Sequence, residues 1–255
     1  MKLILQRFTV LIFILILWEI IYILELLPVL LFPSIRSIFM ALYNGISSGN
    51  FLLMTWNTMN TIFIGLAVGI IIALALAGLS RIHNFFRTVI DTIVIVMNPI
   101  PGLAIFPLVI LIVGLGRNAL LVVLIHSVLW GLLLNLMAGI ESISTTYKEV
   151  GLNLELNRFR MFTDIYIPAS MPFIIPGLKA ALARAWRSAI AVELIAGITA
   201  NNAGLGWLML RQRETLDISG LYATIIIIII IGIILNEVLF RTLEVLTINR
   251  WGMGK

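Results

Sequence analysis

No cysteine occurs in the 255 residues, which excludes disulfides, thiolate metal sites and cysteine nucleophiles. Charge is scarce as well: 11% of the residues are Asp, Glu, Lys or Arg, against about a quarter in soluble domains. Histidine is limited to His83 and His126, neither with an acid at metal-ligand spacing, so no metal centre is assigned. The chain also lacks a Gly-x-x-x-x-Gly-Lys-Ser/Thr loop and cannot cradle nucleotide phosphates in that way. Apolar residues dominate instead, at 61% of the total, with a mean hydropathy of +1.13. A membrane-spanning helix takes roughly 20 residues, so this content supplies about five to seven spans and leaves little for a folded domain outside the bilayer. The net charge of +5 then reports the basic bias of cytoplasmic loops and not nucleic-acid binding.

Along the chain, Lys2 and Arg7 precede an apolar run from Phe8 to Ile23 that lacks a small-residue cleavage site, which predicts a retained first helix. Pro33 ends that segment, and Ser34 can cap a second helix. Ile35, Ile38, Phe39, Leu42 and Ile46 make this one an amphipathic surface helix to about Ser48. Further spans are expected at Thr55–Ser80, Phe85–Gly114, Ala119–Gly139, Pro172–Thr199 and Gly220–Phe240. The third is interrupted by Asn98-Pro99-Ile100-Pro101-Gly102 and reads as one span broken near its middle. A polar loop with Arg211, Arg213, Glu214 and Asp217 separates the last two. The expected architecture is an all-α, polytopic membrane protein of six transmembrane helices. Residues 1–54 form the first helix and an outer interfacial helix, 55–245 the transmembrane core and 246–255 a cytoplasmic tail. With the N-terminus inside, ten basic side chains between the spans and at the ends fall inside and four outside, which places both termini in the cytoplasm and requires an even number of spans.

One long segment between spans is polar with mixed charge, from Ile140 to Pro168. Thr146 and Glu149 have capping-box spacing, and Tyr147, Val150 and Leu154 share a face of the helix they would open. After Asn157, Phe159, Phe162 and Tyr166 repeat the device until Pro168 stops it. Such amphipathic pieces either dock into another protein's groove or lie against lipid.

Glu149-Val150-Gly151, three residues, position 155, nine residues and Ile165-Tyr166-Ile167-Pro168 together resemble the EAA loop of ABC-importer permeases. The spacing fits throughout; the motif's glycine is Glu155 here, and Asn157 stands nearby to take over the turn. Asn98-Pro99-Ile100-Pro101, Phe106-Pro107-Leu108, Gly114-Leu115-Gly116, Ala185-Trp186, Gly204-Leu205-Gly206 and Arg250-Trp251 are similar to the nitrate/sulfonate/taurine/bicarbonate branch of that family. The resemblance implies a type I importer permease in the bacterial or archaeal inner membrane. Its partners would be a second permease copy, two ABC ATPase subunits carrying ATP and Mg, and an extracytoplasmic solute-binding protein. The permease itself would bind no cofactor and catalyse nothing. Glu149, Val150, Gly151, Leu154, Glu155, Asn157, Ile165 and Pro168 would transmit motion to the ATPase through a cytoplasmic coupling helix. The solute would be small and sulfonate-, taurine- or nitrate-like; a thiamine-precursor or other heterocyclic solute is the alternative within the class. An ATP-independent secondary transporter is the rival from outside it, though only one broken span is evident.

Within the spans, Asn57, Thr61, Gly65, Gly69, Ala73 and Ala77 recur every four residues, as in small-residue helix packing. Arg184 and Arg187 fall near mid-depth of the fifth span, where arginine costs about 2.5–3.5 kcal/mol on the insertion scale. Either they face a water-filled path and attract an anionic solute, or the helix sits lower and they anchor it at the headgroups. Glu193 is the third pathway candidate; it lies about 180° around the helix from Arg184 and shares a stripe with Lys179 and Trp186. Glu19, Glu25 and Asp91 read as interfacial or packing acids, and Trp207 as part of an aromatic belt or of a binding-protein surface.

Overall fold

The computed structural model describes residues 2–196 and 203–239, and among these there is helix and no strand. The expected end of the fifth span at Thr199 and the tail 246–255, with Arg250 and Trp251, lie outside the described residues. The helices are α1 (Lys2–Ile23), α2 (Ile35–Ser47), α3 (Asn50–Leu79), α4 (Asn84–Met97), α5 (Gly102–Val113) and α6 (Arg117–Glu141). They continue with α7 (Thr145–Asn153), α8 (Arg158–Arg160), a π-helical stretch (Met161–Tyr166), α9 (Ile167–Ala196), α10 (Leu205–Glu214) and α11 (Ile218–Ile233), which runs into a second π-helical stretch (Ile234–Leu239).

Among the described residues, five stretches are long and apolar enough to cross a membrane: Leu5–Ile23, Asn50–Leu79, Arg117–Glu141, Met161–Ala196 and Ile218–Glu237. The pair α4 and α5 makes a sixth if it counts as one span. Its two arms meet at 101°, far sharper than a proline kink in a continuous helix. Pro99 and Pro101 explain the break: neither supplies an N–H, and each disfavours helix in the residue before it.

Two compact units are distinguished. One comprises Met1–Thr58 and Glu193–Ile230, the other Met59–Val192 and Ile231–Lys255. In the first, Ser34 caps α2 as expected, its Oγ accepting from the Ser37 amide at 3.1 Å. Glu19 adds a second anchor, its Oε2 accepting from the Ile35 amide at 3.1 Å. Trp18 stacks on Phe32 and donates from Nε1 to the Pro33 carbonyl, which folds the α1–α2 connection back on α1. In the second unit α6 is the central helix. Gly65 and Gly69 of α3 lie where a Cβ would press on Leu124 and Val128 at 2.8 Å, so this part of the small-residue stripe packs α3 on α6. Gly177 makes the same approach to Asn135 for α9, and Ala181, Ala185 and Ala189 are fully buried.

Three sequence expectations change. The residues after Gly204, expected as a polar loop, form α10. The helix expected to open with a Thr146–Glu149 capping box has Ser144 as its cap, accepting from the Tyr147 amide. Pro168 does not stop the second short piece, because the chain passes through it into α9. Pro168 offers no N–H and its ring would clash with the carbonyl four residues back. The preceding turn widens instead to i→i+5 bonding, with the Ile167 amide donating to the Phe162 carbonyl, and the helix survives as a π-helical stretch. Pro172 and Pro176 follow at four-residue spacing inside α9.

Candidate functional site

The polar segment folds as a helix–turn–helix whose turn is fixed by backbone bonds. After α7 the Glu155 amide donates to the Leu152 carbonyl (2.9 Å) and the Leu156 amide to the Gly151 carbonyl (3.1 Å). This is the Schellman arrangement, which puts the residue after the C-cap in the left-handed region. Glu155 occupies that place with φ +53°, so the reversal falls at the motif's glycine position itself. Asn157, expected to take over the turn, does something else: its Oδ1 accepts from the Arg160 amide at 2.9 Å and caps the next helix.

Gly151 is buried, and a Cβ there would collide with the Met161 thioether and reach Ile165 at 3.5 Å. It therefore lets α7 close on the π-helical stretch. Glu149, Val150 and Leu154 are exposed, as are Tyr147, Phe159 (74%) and Phe162. The outer surface is thus apolar and aromatic and lies open among the described residues, the composition of a docking face. Pro168 stands in the first turn of α9, directly after the stretch that Gly151 braces.

Arg184 lines a cavity of about 320 Å³ in the second unit, together with Arg187 and Ser188 of α9, His126 and Trp130 of α6, and the broken-span residues Asn98–Gly102. The Arg184 Nε donates to the Ser127 carbonyl at 3.0 Å, which fixes the guanidinium plane. Gly131 provides its berth, since a Cβ there would meet Arg184 Nη1 at 3.1 Å and Cζ at 2.8 Å. Among the described residues, Arg184 Nη2 is buried without a hydrogen-bond partner, and so are Trp130 Nε1 and both ring nitrogens of His126. Buried polar groups are normally paired. Here three residues with unpaired nitrogens line one space, which suits a guest that accepts hydrogen bonds. Arg187 lines a second cavity too, of about 310 Å³, with Lys179, Trp186 and Asn236.

His126 and Trp130 are site residues that the sequence does not single out. Their signal is faint: an i, i+4 pair carrying ring nitrogens on a largely apolar helix, whose significance depends on α9 and the broken span arriving opposite.

Glu193 is placed elsewhere, in the first unit. It is 2% exposed, and its carboxyl accepts from Thr58 Oγ1 at 3.0 Å and from the Gly206 amide at 2.9 Å. Thr58 Oγ1 in turn accepts from the Leu205 amide at 2.9 Å, and Asn57 Nδ2 donates to the Ala203 carbonyl at 2.8 Å. Glu193 and Thr58 thus satisfy amides at the start of α10, which otherwise have no acceptor within their helix. Trp207, in the first turn of α10, lies under the Arg211 guanidinium at 5.4 Å. His83 caps α4, its Nδ1 accepting from the Phe85 amide, and Asp91 pairs with Arg87, which also reaches Glu141.

Residues 65–246 match the family described as binding-protein-dependent transport system inner membrane component. A putative ABC transporter permease protein of Methanocaldococcus jannaschii is 26% identical over 226 residues, covering 87% of this chain and 83% of its own. The nitrate import permease protein NrtB of Leptolyngbya laminosa is 25% identical over 68% of this chain, and the taurine transport system permease protein TauC of Escherichia coli is 26% identical over 70%. The matched regions span 57% and 62% of those two relatives. A family that spans most of the chain, the broken apolar span and the helix–turn–helix at the EAA spacing agree: the chain belongs to the inner-membrane permease components of binding-protein-dependent ABC transporters.

Proposed function

We propose that this permease passes a small anionic solute of the sulfonate, taurine or nitrate kind from an extracytoplasmic binding protein to the cytoplasm, driven by two ATPase subunits on its cytoplasmic face. The observation that carries the solute class is the cavity beside Arg184, where a guanidinium fixed by Ser127 shares the lining with Trp130 and His126, all with unpaired nitrogens. An oxyanion accepts hydrogen bonds from such donors and balances the arginine charge, and charge-assisted bonds of this kind are stronger than neutral ones. The relatives named for nitrate and taurine transport support the same class.

In this reading the exposed Tyr147, Val150, Leu154 and Phe159 dock on the ATPase, and Glu149 to Pro168 carry its motion into α9. The basic residues between the spans and at the chain ends then face mainly the cytoplasm, as do both termini, and two copies of the permease assemble around the path. ATP and Mg stay on the partner subunits. Membership of a binding-protein-dependent family argues against a secondary transporter acting alone. The ring pair His126 and Trp130, 6.1 Å apart and edge to face, favours one second reading, a flat heterocyclic solute stacked in the same cavity.

Uptake into proteoliposomes holding permease, ATPase and binding protein tests the proposal. Arg184→Gln is expected to lower anion uptake by about tenfold or more, the loss of one charge-assisted contact, while the ATPase still co-purifies. Unchanged uptake of every anion tried, in an assembled complex, would reject the anionic reading.

A further inference from the structure

A third cavity, of about 700 Å³, lies in the second unit at the end that carries the polar segment. Ala77 and Gly78 of α3, Leu136 and Ile140 of α6, and Phe162 and Ile174 are among its walls, so the space is overwhelmingly apolar. Besides the Tyr166 phenol, two polar features break that pattern. Arg81, exposed in the turn after α3, is the charged member of the lining. Ser170 of α9 is 3% exposed, and its Oγ has no hydrogen-bond partner among the described residues. A helical serine ordinarily returns its hydroxyl to a carbonyl one turn back, so this unspent hydroxyl in the cavity wall marks a missing acceptor.

We infer that this cavity is a phospholipid site, with an acyl chain between α3, α6 and α9, an ester carbonyl at Ser170 and the phosphate at Arg81. Charge and polarity select this occupant. The apolar walls belong to membrane-spanning helices, and Leu74 lies about 10 Å further along α3 from the Arg81 end, so the cavity grades from cationic rim to hydrocarbon as a lipid does. Basic pockets between spans at the cytoplasmic side are recognised headgroup sites. Water would satisfy Ser170 and leave the apolar walls wet; a protein segment would have to bring both an apolar stretch and an acid to Arg81. The site is independent of the transported solute. Because Phe162 and Tyr166 of the π-helical stretch form part of its wall, the lipid would touch the segment that joins α8 to α9.

Gly78 supplies the test, since it lines the cavity and a Cβ there meets nothing within 4 Å, so a leucine is expected to occupy part of the space without pressing on protein. The full-length protein is extracted from membranes in mild detergent and weighed intact by native mass spectrometry. Wild type is expected to retain one phospholipid per chain, and Gly78→Leu to lose about nine-tenths of it with its melting temperature unchanged. Arg81→Gln, at an exposed position, is expected to retain less lipid than wild type. Equal lipid retention in wild type and both variants would overturn the proposal. So would a photo-reactive residue in place of Ile140 that captures a second permease copy or the ATPase and no lipid.

Discussion

Gly204 sits where the backbone must pass a buried carboxyl. A Cβ at this position would collide with both the Glu193 carboxylate and the Thr58 hydroxyl. Because that hydroxyl and carboxyl take the Leu205 and Gly206 amides, Gly204-Leu205-Gly206 is a fitted entry into α10 and not a loose turn. Gly204→Ala is expected to push the cluster apart. Glu193→Leu is expected to strand the Gly206 amide and the Thr58 hydroxyl, each variant costing on the order of 2–4 kcal/mol. Thermal unfolding of the detergent-solubilised protein, followed by tryptophan fluorescence, measures both. Glu193→Gln keeps a carbonyl acceptor and should retain most of the stability. Gly131 plays a comparable part for Arg184, where the absent side chain leaves room for a guanidinium. Both glycines stand out in the sequence only as glycines; the groups they make room for come from other helices.

At the scale of elements, three non-glycine residues among those described have left-handed backbones: Glu25, Glu155 and Leu216. Each follows a helix C-cap, and each is flanked by the same pair of backbone bonds, from the amides of residues 25 and 26, 155 and 156, and 216 and 217. The helices α1, α7 and α10 therefore end in Schellman turns without the glycine that normally relieves them. Left-handed geometry costs an L-residue about 1–2 kcal/mol, partly offset by the freedom glycine adds to the unfolded chain. Glu155→Gly is thus expected to stabilise the α7 turn by about 0.5–1 kcal/mol and leave ATPase association intact. Glu155→Val, β-branched at positive φ, is expected to weaken that association in a co-purification assay. Helix ends of this kind are hard to read from sequence, because the usual stop signal is glycine and these ends carry none. Helix α10 is hidden for a related reason: it is short and polar, and its start is stabilised by Thr58 and Glu193, the first of them far away in the chain.

For the molecule as a whole, the spans are the most legible feature, since about 20 apolar residues announce a crossing without help from tertiary structure. The interruption at Asn98–Gly102 is legible through its prolines, but its angle of 101° is not, because a proline pair specifies a break and neighbouring helices set the direction. The cavity beside Arg184 depends on three separate stretches converging; the arginines announce it, and His126 and Trp130 are silent. Orientation can be read directly on this chain. With no native cysteine, a single Thr145→Cys or Gly49→Cys variant reacts without background. Thr145→Cys is expected to resist a membrane-impermeant maleimide in intact spheroplasts and to label after lysis, while Gly49→Cys labels in both. The opposite pattern would invert the topology argued from basic residues.

The proline spacing in α9 has a mechanical consequence. Pro168, Pro172 and Pro176 each withhold one rung of the hydrogen-bond ladder on nearly the same side of the shaft, whereas residues 177–192 have no such gap. Anything that moves the π-helical stretch therefore acts on a rod that is soft at its driven end and stiff beyond. Such a rod turns a push at its base into a swing of its upper length, the part that carries Arg184 and Arg187. Hydrogen exchange of the solubilised protein should show this gradient, with amides between 169 and 176 exchanging well ahead of those between 181 and 192.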